Sequence, residues 1–127
     1  MIKEAVATTS APGAVGPYSQ GIRSGQVVVT SGQLPAPPDG ELVTHDIGDA
    51  TIACLKNVRA ILEAGGAALA DVIKVTVFLT DMGDFAAVNR AYESFFQQPY
   101  PARSCIEVAR LPMDAPIEIE AMAVVSG

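Results

Sequence analysis

Tryptophan is absent from this 127-residue chain, histidine occurs once, cysteine twice, and the 8 Lys and Arg residues are outnumbered by 14 Asp and Glu. Each shortage closes off a class of function. Cys54 and Cys105 are too few and too isolated for a disulfide framework, and with His45 alone they do not assemble an ordinary zinc site. The net charge is −6 and the bases are scattered rather than gathered into a stripe, which argues against nucleic acid and against an anionic lipid surface. No 18 apolar residues run together, so no membrane span is predicted. The opening stretch, Met1 to Thr8, sets Glu4 beside Lys3 and lacks the apolar centre of an export signal. The expectation is a cytoplasmic protein without a metal.

What the chain does have is apolar material. Half of it is hydrophobic, enough at this length to bury one core, so a single domain over 1–127 is predicted. Ala5–Thr8 reads as a short strand, and the Gly- and Pro-rich stretch from Ala11 to Pro17 reads as a loop with Tyr18 at its exit. Tyr18–Arg23 and Gln26–Ser31 suit a hairpin turning at Ser24-Gly25, with Val27-Val28-Val29 as a buried middle. At its end, Thr30-Ser31-Gly32-Gln33 puts a hydroxyl next to bare backbone, where a ligand can approach closely. Pro35–Gly40 is read as an exposed loop.

From Asp46 to Ala64, Ile52, Leu55, Val58 and Leu62 recur every three or four residues, and Gly65-Gly66 supplies the stop, so a helix is predicted. The continuous β-branched run within Asp71–Thr80 predicts a central strand. A second helix is expected from an Asp84 cap to about Gln97, with Phe85, Val88, Tyr92 and Phe95 on one face and Pro99 and Pro101 beyond it.

The chemistry gathers near the C-terminus. Alternation along Pro101–Val108 places Arg103, Cys105 and Glu107 on one strand face, and along Ile117–Ala121 it separates Glu118 and Glu120 from Ile117 and Ile119. A Pro- and Asp-containing link from Leu111 to Pro116 predicts a hairpin or close sheet neighbourhood, in which an Arg, a Cys and a carboxylate meet on one surface. The order of elements argues for an α+β domain with one sheet covered by two helices on one face. The other face, carrying the carboxylates, meets solvent or a copy of the chain.

Gly16-Pro17-Tyr18-Ser19-Gln20, Thr30-Ser31-Gly32-Gln33, Asn57-Val58, Val75–Leu79, Phe85–Asn89, Pro101–Cys105 and Ile117–Ala121 together resemble the reactive-intermediate deaminase family, RidA, over nearly the whole chain. The resemblance implies a chorismate-mutase-like α+β fold with one mixed sheet, assembling as a homotrimer with clefts between subunits. It also implies cofactor-free hydrolysis of enamines and imines, such as 2-aminoacrylate, to 2-keto acids and ammonia. In the family pattern Arg103 and Glu118 are catalytic, and Tyr18, Ser31, Gly32, Asn89, Arg103 and Cys105 form the binding cleft. The Pro35–Gly40 loop is a residue short of the commonest family form, and Gln97–Tyr100 belongs to a linker of variable length.

The residues support that chemistry on their own terms. A guanidinium offers two parallel donors to a planar carboxylate, which suits Arg103 to anchor a 2-imino acid. A carboxyl group can manage the proton traffic of hydrolysis if burial raises its pKa, the role assigned to Glu118. Cys105 is read as a pocket wall, since nothing ties His45 to it as a base. Cys54 is read as core, and Glu120 as a candidate structural pairing residue. The competing readings are a surface salt bridge from Arg103 to Glu107 and a solvated strand face for Glu118. At the level of function the alternatives are a keto-acid-binding regulatory module, an endoribonuclease acting as a translation inhibitor, and a holdase chaperone.

Overall fold

The computed structural model describes residues 2–126. Eight principal elements succeed one another: β1 (Lys3–Val6), β2 (Gly21–Ser24), β3 (Val27–Thr30), α1 (Ile47–Ala64), β4 (Val72–Leu79), α2 (Phe85–Glu93), β5 (Ala102–Glu107) and β6 (Ile117–Val124). The six strands form one mixed sheet in the order β1-β2-β3-β6-β4-β5. All neighbours are antiparallel except β4 and β5, whose parallel pairing is made possible by the crossover through α2.

One sheet face is closed by both helices. Val28, Val75, Val77, Leu79, Ile117, Ile119, Ala121 and Ala123 from the sheet pack with Leu55, Val58 and Leu62 of α1 and Val88 and Tyr92 of α2 in one core. Truncating a fully buried member such as Leu55 to Ala should cost about 2–5 kcal/mol. The predicted α+β layering is therefore what the chain adopts. Cys54 is core as expected, fully buried, with its thiol 3.9 Å from the Ile117 carbonyl.

The first helix begins where its cap predicts. Asp46 is extended, and its carboxylate accepts from the Asp49 N–H at 2.9 Å. Gly66, at φ +90°, then turns the chain away. The second helix differs from expectation at both ends. Asp84 makes no side-chain cap; Asp81 does, accepting from the Gly83 N–H at the start of a 3-10 turn over Met82–Asp84. The helix also stops at Glu93, short of Gln97, and Phe96 beyond it is buried with its ring 4.7 Å from that of Tyr92. The Ser94 hydroxyl donates to the Ala91 carbonyl at this end.

Four further expectations are corrected. Tyr18 lies in the loop before β2, and the hairpin turns one residue later than predicted, after Ser24, with Gly25 at φ +59°. Of Val27-Val28-Val29 only Val28 is fully buried, since its neighbours point to the uncovered face. The β5 and β6 strands form no hairpin: β4 lies between them.

The pairing of β3 with β6 is irregular at one end. From Val29 to Gln33 the chain advances four residues while its partner strand recedes three, from Met122 to Ile119. The Thr30–Gly32 segment therefore bulges, and the Thr30 hydroxyl takes up the Ala121 N–H that the ladder leaves unpaired, at 3.1 Å.

Candidate functional site

Register decides which predicted residues meet. Opposite residues on adjacent strands share a face, so Arg103, Cys105 and Glu107, opposite Val75, Val77 and Leu79, lie on the helix-covered face. Glu118 and Glu120 are opposite Phe78 and Thr76, on the other face. Of the carboxylates that could meet Arg103 and Cys105 on one surface, Glu107 therefore shares their face within one chain and Glu118 and Glu120 do not. Two candidate half-sites, one on each face, are found instead.

The first half-site lies at the β5 edge. The Arg103 guanidinium carbon sits 4.8 Å from the centre of the Tyr92 ring and 5.5 Å from that of Phe85. Asn89, one helical turn from each of these residues, is half-buried on α2. The ion pairs within 4.0 Å among the described residues are His45–Asp49 and Arg110–Asp114, so Arg103 has no carboxylate partner there. Glu107, the competing partner, instead accepts from the Met82 N–H at 2.7 Å. Burial pushes the Cys105 thiol up, against a smaller opposing pull from Arg103, so it stays protonated near neutral pH. The His45 ring faces Asp49 at 3.1 Å on an exposed stretch, and no pairing with Cys105 is formed. Cys105 packs at the margin of the core.

The second half-site is built around the bulge. Gly32 lies so close to Glu118 that a methyl group added there would meet the carboxylate, its carboxyl carbon 2.8 Å away. Glu118 is half-buried, and its pKa is raised first by that burial and then by the negative charge of Glu120. The Ser31 hydroxyl donates to the Ser19 carbonyl at 2.6 Å, which leaves its oxygen free only to accept. Tyr18 is exposed; its phenol oxygen accepts from the Val15 N–H at 3.4 Å, which leaves its O–H free to donate. Tyr18 and Gly32 also line a cavity of about 230 Å³ with Pro12, Val15, Leu34 and Met113.

Two buried amides fix the loops of this half-site. Gln20 accepts from the Thr8 N–H at 2.7 Å and donates to the carbonyls of Thr8, Ala11 and Pro12, holding the loop that ends at Tyr18. Asn57 reaches from α1 to donate to the carbonyls of Leu34 and Ala36, at 3.2 and 2.7 Å, holding the opposite wall. The sequence places both in motifs without revealing these tasks. It likewise assigns Phe85 and Tyr92 to packing. Their spacing of two helical turns is the signal that they present one surface, but nothing local says an Arg will rest on it.

A family profile described as "Endoribonuclease L-PSP" matches residues 8–125. The chain belongs to this family. Among its members, a Salmonella typhimurium protein named 2-iminobutanoate/2-iminopropanoate deaminase is 49% identical over 126 residues, covering 97% of this chain and 98% of that protein. The Escherichia coli protein of the same name is 48% identical over an equal span. Among solved family structures, Escherichia coli TdcF with bound serine superposes with a TM-score of 0.93 at 50% identity, covering 97% of this chain and 99% of the other. The family resemblance and the α+β fold inferred from sequence both hold.

Proposed function

We propose that this protein hydrolyses enamine and imine intermediates derived from 2-amino acids, of the 2-iminobutanoate and 2-iminopropanoate type, to 2-keto acids and ammonia. The names of relatives near 49% identity support the reaction class. The observation that carries it at the level of residues is the unpaired Arg103 guanidinium, an uncommitted cation suited to a planar carboxylate.

In the proposed mechanism Arg103 takes the substrate carboxylate in a two-point contact, and Asn89 and Cys105 border it. Tyr18, Ser31, the Gly32 backbone and Glu118 close the other side. Water adds to the imine carbon, a proton reaches the nitrogen through Glu118, and collapse of the carbinolamine expels ammonia and leaves the keto acid. The atoms balance with water alone, so the step calls for no cofactor. A raised pKa keeps Glu118 protonated to higher pH than an ordinary carboxyl, which suits a donor.

Because Arg103 and Glu118 occupy opposite sheet faces, we place the complete site between copies of the chain, in a homotrimer. The uncovered face supports this: Val27, Met122 and Val124 expose apolar side chains there, on adjoining strands. No helix among the described residues is long and apolar enough to cross a membrane. The proposed setting is the cytoplasm, where Cys54 and Cys105 remain thiols. The family profile's nuclease description is not the reading we favour, since a net charge of −6 opposes phosphate binding and His45 is engaged with Asp49. The serine bound to TdcF keeps a ligand-sensing module as the second reading.

The test generates 2-aminoacrylate in situ from serine with a dehydratase in the presence of semicarbazide. The protein should increase pyruvate and reduce the semicarbazone, and Arg103→Ala should not. A folded protein that binds pyruvate yet never competes with the trap would establish the sensing module instead.

A further inference from the structure

Arg103 is held by two aromatic rings where proteins often use a carboxylate. A carboxylate would fix the guanidinium and also neutralise it, leaving little charge for a ligand. A ring attracts the cation through its quadrupole and carries no net charge, so position is fixed while the ion-pairing capacity survives. Phe85 and Tyr92 lie on the same side of α2, and β5 carries Arg103 across that side. Tyr92 is itself locked, 6% exposed and packed at a tilt against Phe96, while Phe85 is 38% exposed at the open end of the shelf. The Tyr92 hydroxyl is buried without a hydrogen-bond partner, so the residue contributes its ring face rather than a polar contact to the arginine.

Resting on the deaminase reading of the site, we propose that Phe85 and Tyr92 are positioning residues that pre-orient the Arg103 guanidinium for the ligand carboxylate. A long Arg side chain without a partner samples many rotamers, and the apparent dissociation constant rises in inverse proportion to the fraction in the binding-competent one. The shelf raises that fraction before any ligand arrives. Phe85 is the adjustable half, because it is exposed enough to be altered without opening the core.

The test replaces Phe85 by phenylalanines with one, two and three ring fluorines, which withdraw electron density and weaken the quadrupole with little change of shape. Calorimetric binding of pyruvate is the readout, with the semicarbazide competition run on the same samples. The dissociation constant should climb stepwise with each fluorine, by about tenfold over the series, with the melting temperature nearly constant. Phe85→Leu should weaken binding about 3- to 30-fold and raise KM alongside, with kcat within about twofold, and Phe85→Tyr should restore both. A flat fluorine series in a protein that binds pyruvate overturns the inference. Wild-type protein that binds pyruvate but never competes with semicarbazide overturns the hydrolytic reading while the fluorine series still decides the shelf. Wild-type protein that binds no pyruvate at millimolar concentration overturns both.

Discussion

The two faces of the sheet are made by the same strands and do different work. Along β6, Ile117, Ile119, Ala121 and Ala123 are buried beneath helices, while Glu118 and Glu120 between them are half-buried on the uncovered side. The covered face is completed by its own chain, and Arg103 sits at its rim on aromatic rings. The uncovered face keeps Glu118 half-buried beside Glu120, and its pKa is raised first by that burial and then by the neighbouring negative charge. Arg103 and Glu118 thus lie on opposite faces, and the proposed reaction has two copies of the chain supply one each.

The sharpest way to break that comparison is to remove the two members separately. Arg103→Ala should lose about 2–5 kcal/mol of transition-state stabilisation, roughly 30-fold to several thousand-fold in kcat/KM, measured by competition with semicarbazide. Mixing unfolded Arg103→Ala and Glu118→Gln chains and refolding them together should then restore activity, with about a quarter of the sites complete if assembly is random. Failure to restore any activity, from chains that assemble, would contradict a site shared between copies.

Glu118→Gln alone should lower kcat by about 10²-fold with little change in pyruvate affinity. As a proton donor Glu118 would give a rate that falls as pH rises through its raised pKa. Glu120→Gln, which removes a neighbouring negative charge, should move that limb to lower pH. The same shift acts on folding. The folded chain holds the Glu118 proton more tightly than the unfolded chain, so this group's stabilisation is present below the unfolded value of about 4.3 and is lost as pH rises through the folded one. At neutral pH, Glu118→Gln should therefore melt no lower than wild type in a thermal scan.

Gly32→Ala separates position from stability. The added methyl meets the end of a flexible side chain, so unfolding should change by less than about 1 kcal/mol, while the displaced carboxyl should lower kcat about tenfold. The smallest effect is expected on the covered face. Tyr92→Phe removes a buried hydroxyl without a partner and should raise stability by about 1 kcal/mol in denaturant unfolding.

Alternation within each strand is legible, because burying one face imposes a two-residue period on the sequence of that strand alone. It correctly separates Glu118 from Ile117 and Ile119, and helical spacing correctly lays out α1. The parity between strands has no such signal. Whether Arg103 and Glu118 share a face depends on the register each adopts against β4, and that pairing is set by tertiary packing through the α2 crossover. The end of α2 escapes a local reading too: Pro99 offers a stop, but the helix ends earlier, at Glu93, where the Ser94 hydroxyl donates back to the Ala91 carbonyl. The site residues on the Tyr18 loop and the bulge are recognisable as motifs, whereas the amides that hold them are not, since hydrogen bonds across 8 to 23 residues leave no periodic trace.

The Gln20 amide also sets a limit on chemical ageing. Its nitrogen donates to three carbonyl oxygens while its oxygen accepts one N–H, so the group must be a donor on one side and an acceptor on the other. Deamidation would leave a side chain of nearly the same size and shape, yet the donor side would become an anion facing three carbonyl oxygens. A change of one mass unit, with almost no change of volume, would push the Thr8–Pro12 segment away from the side chain that holds it.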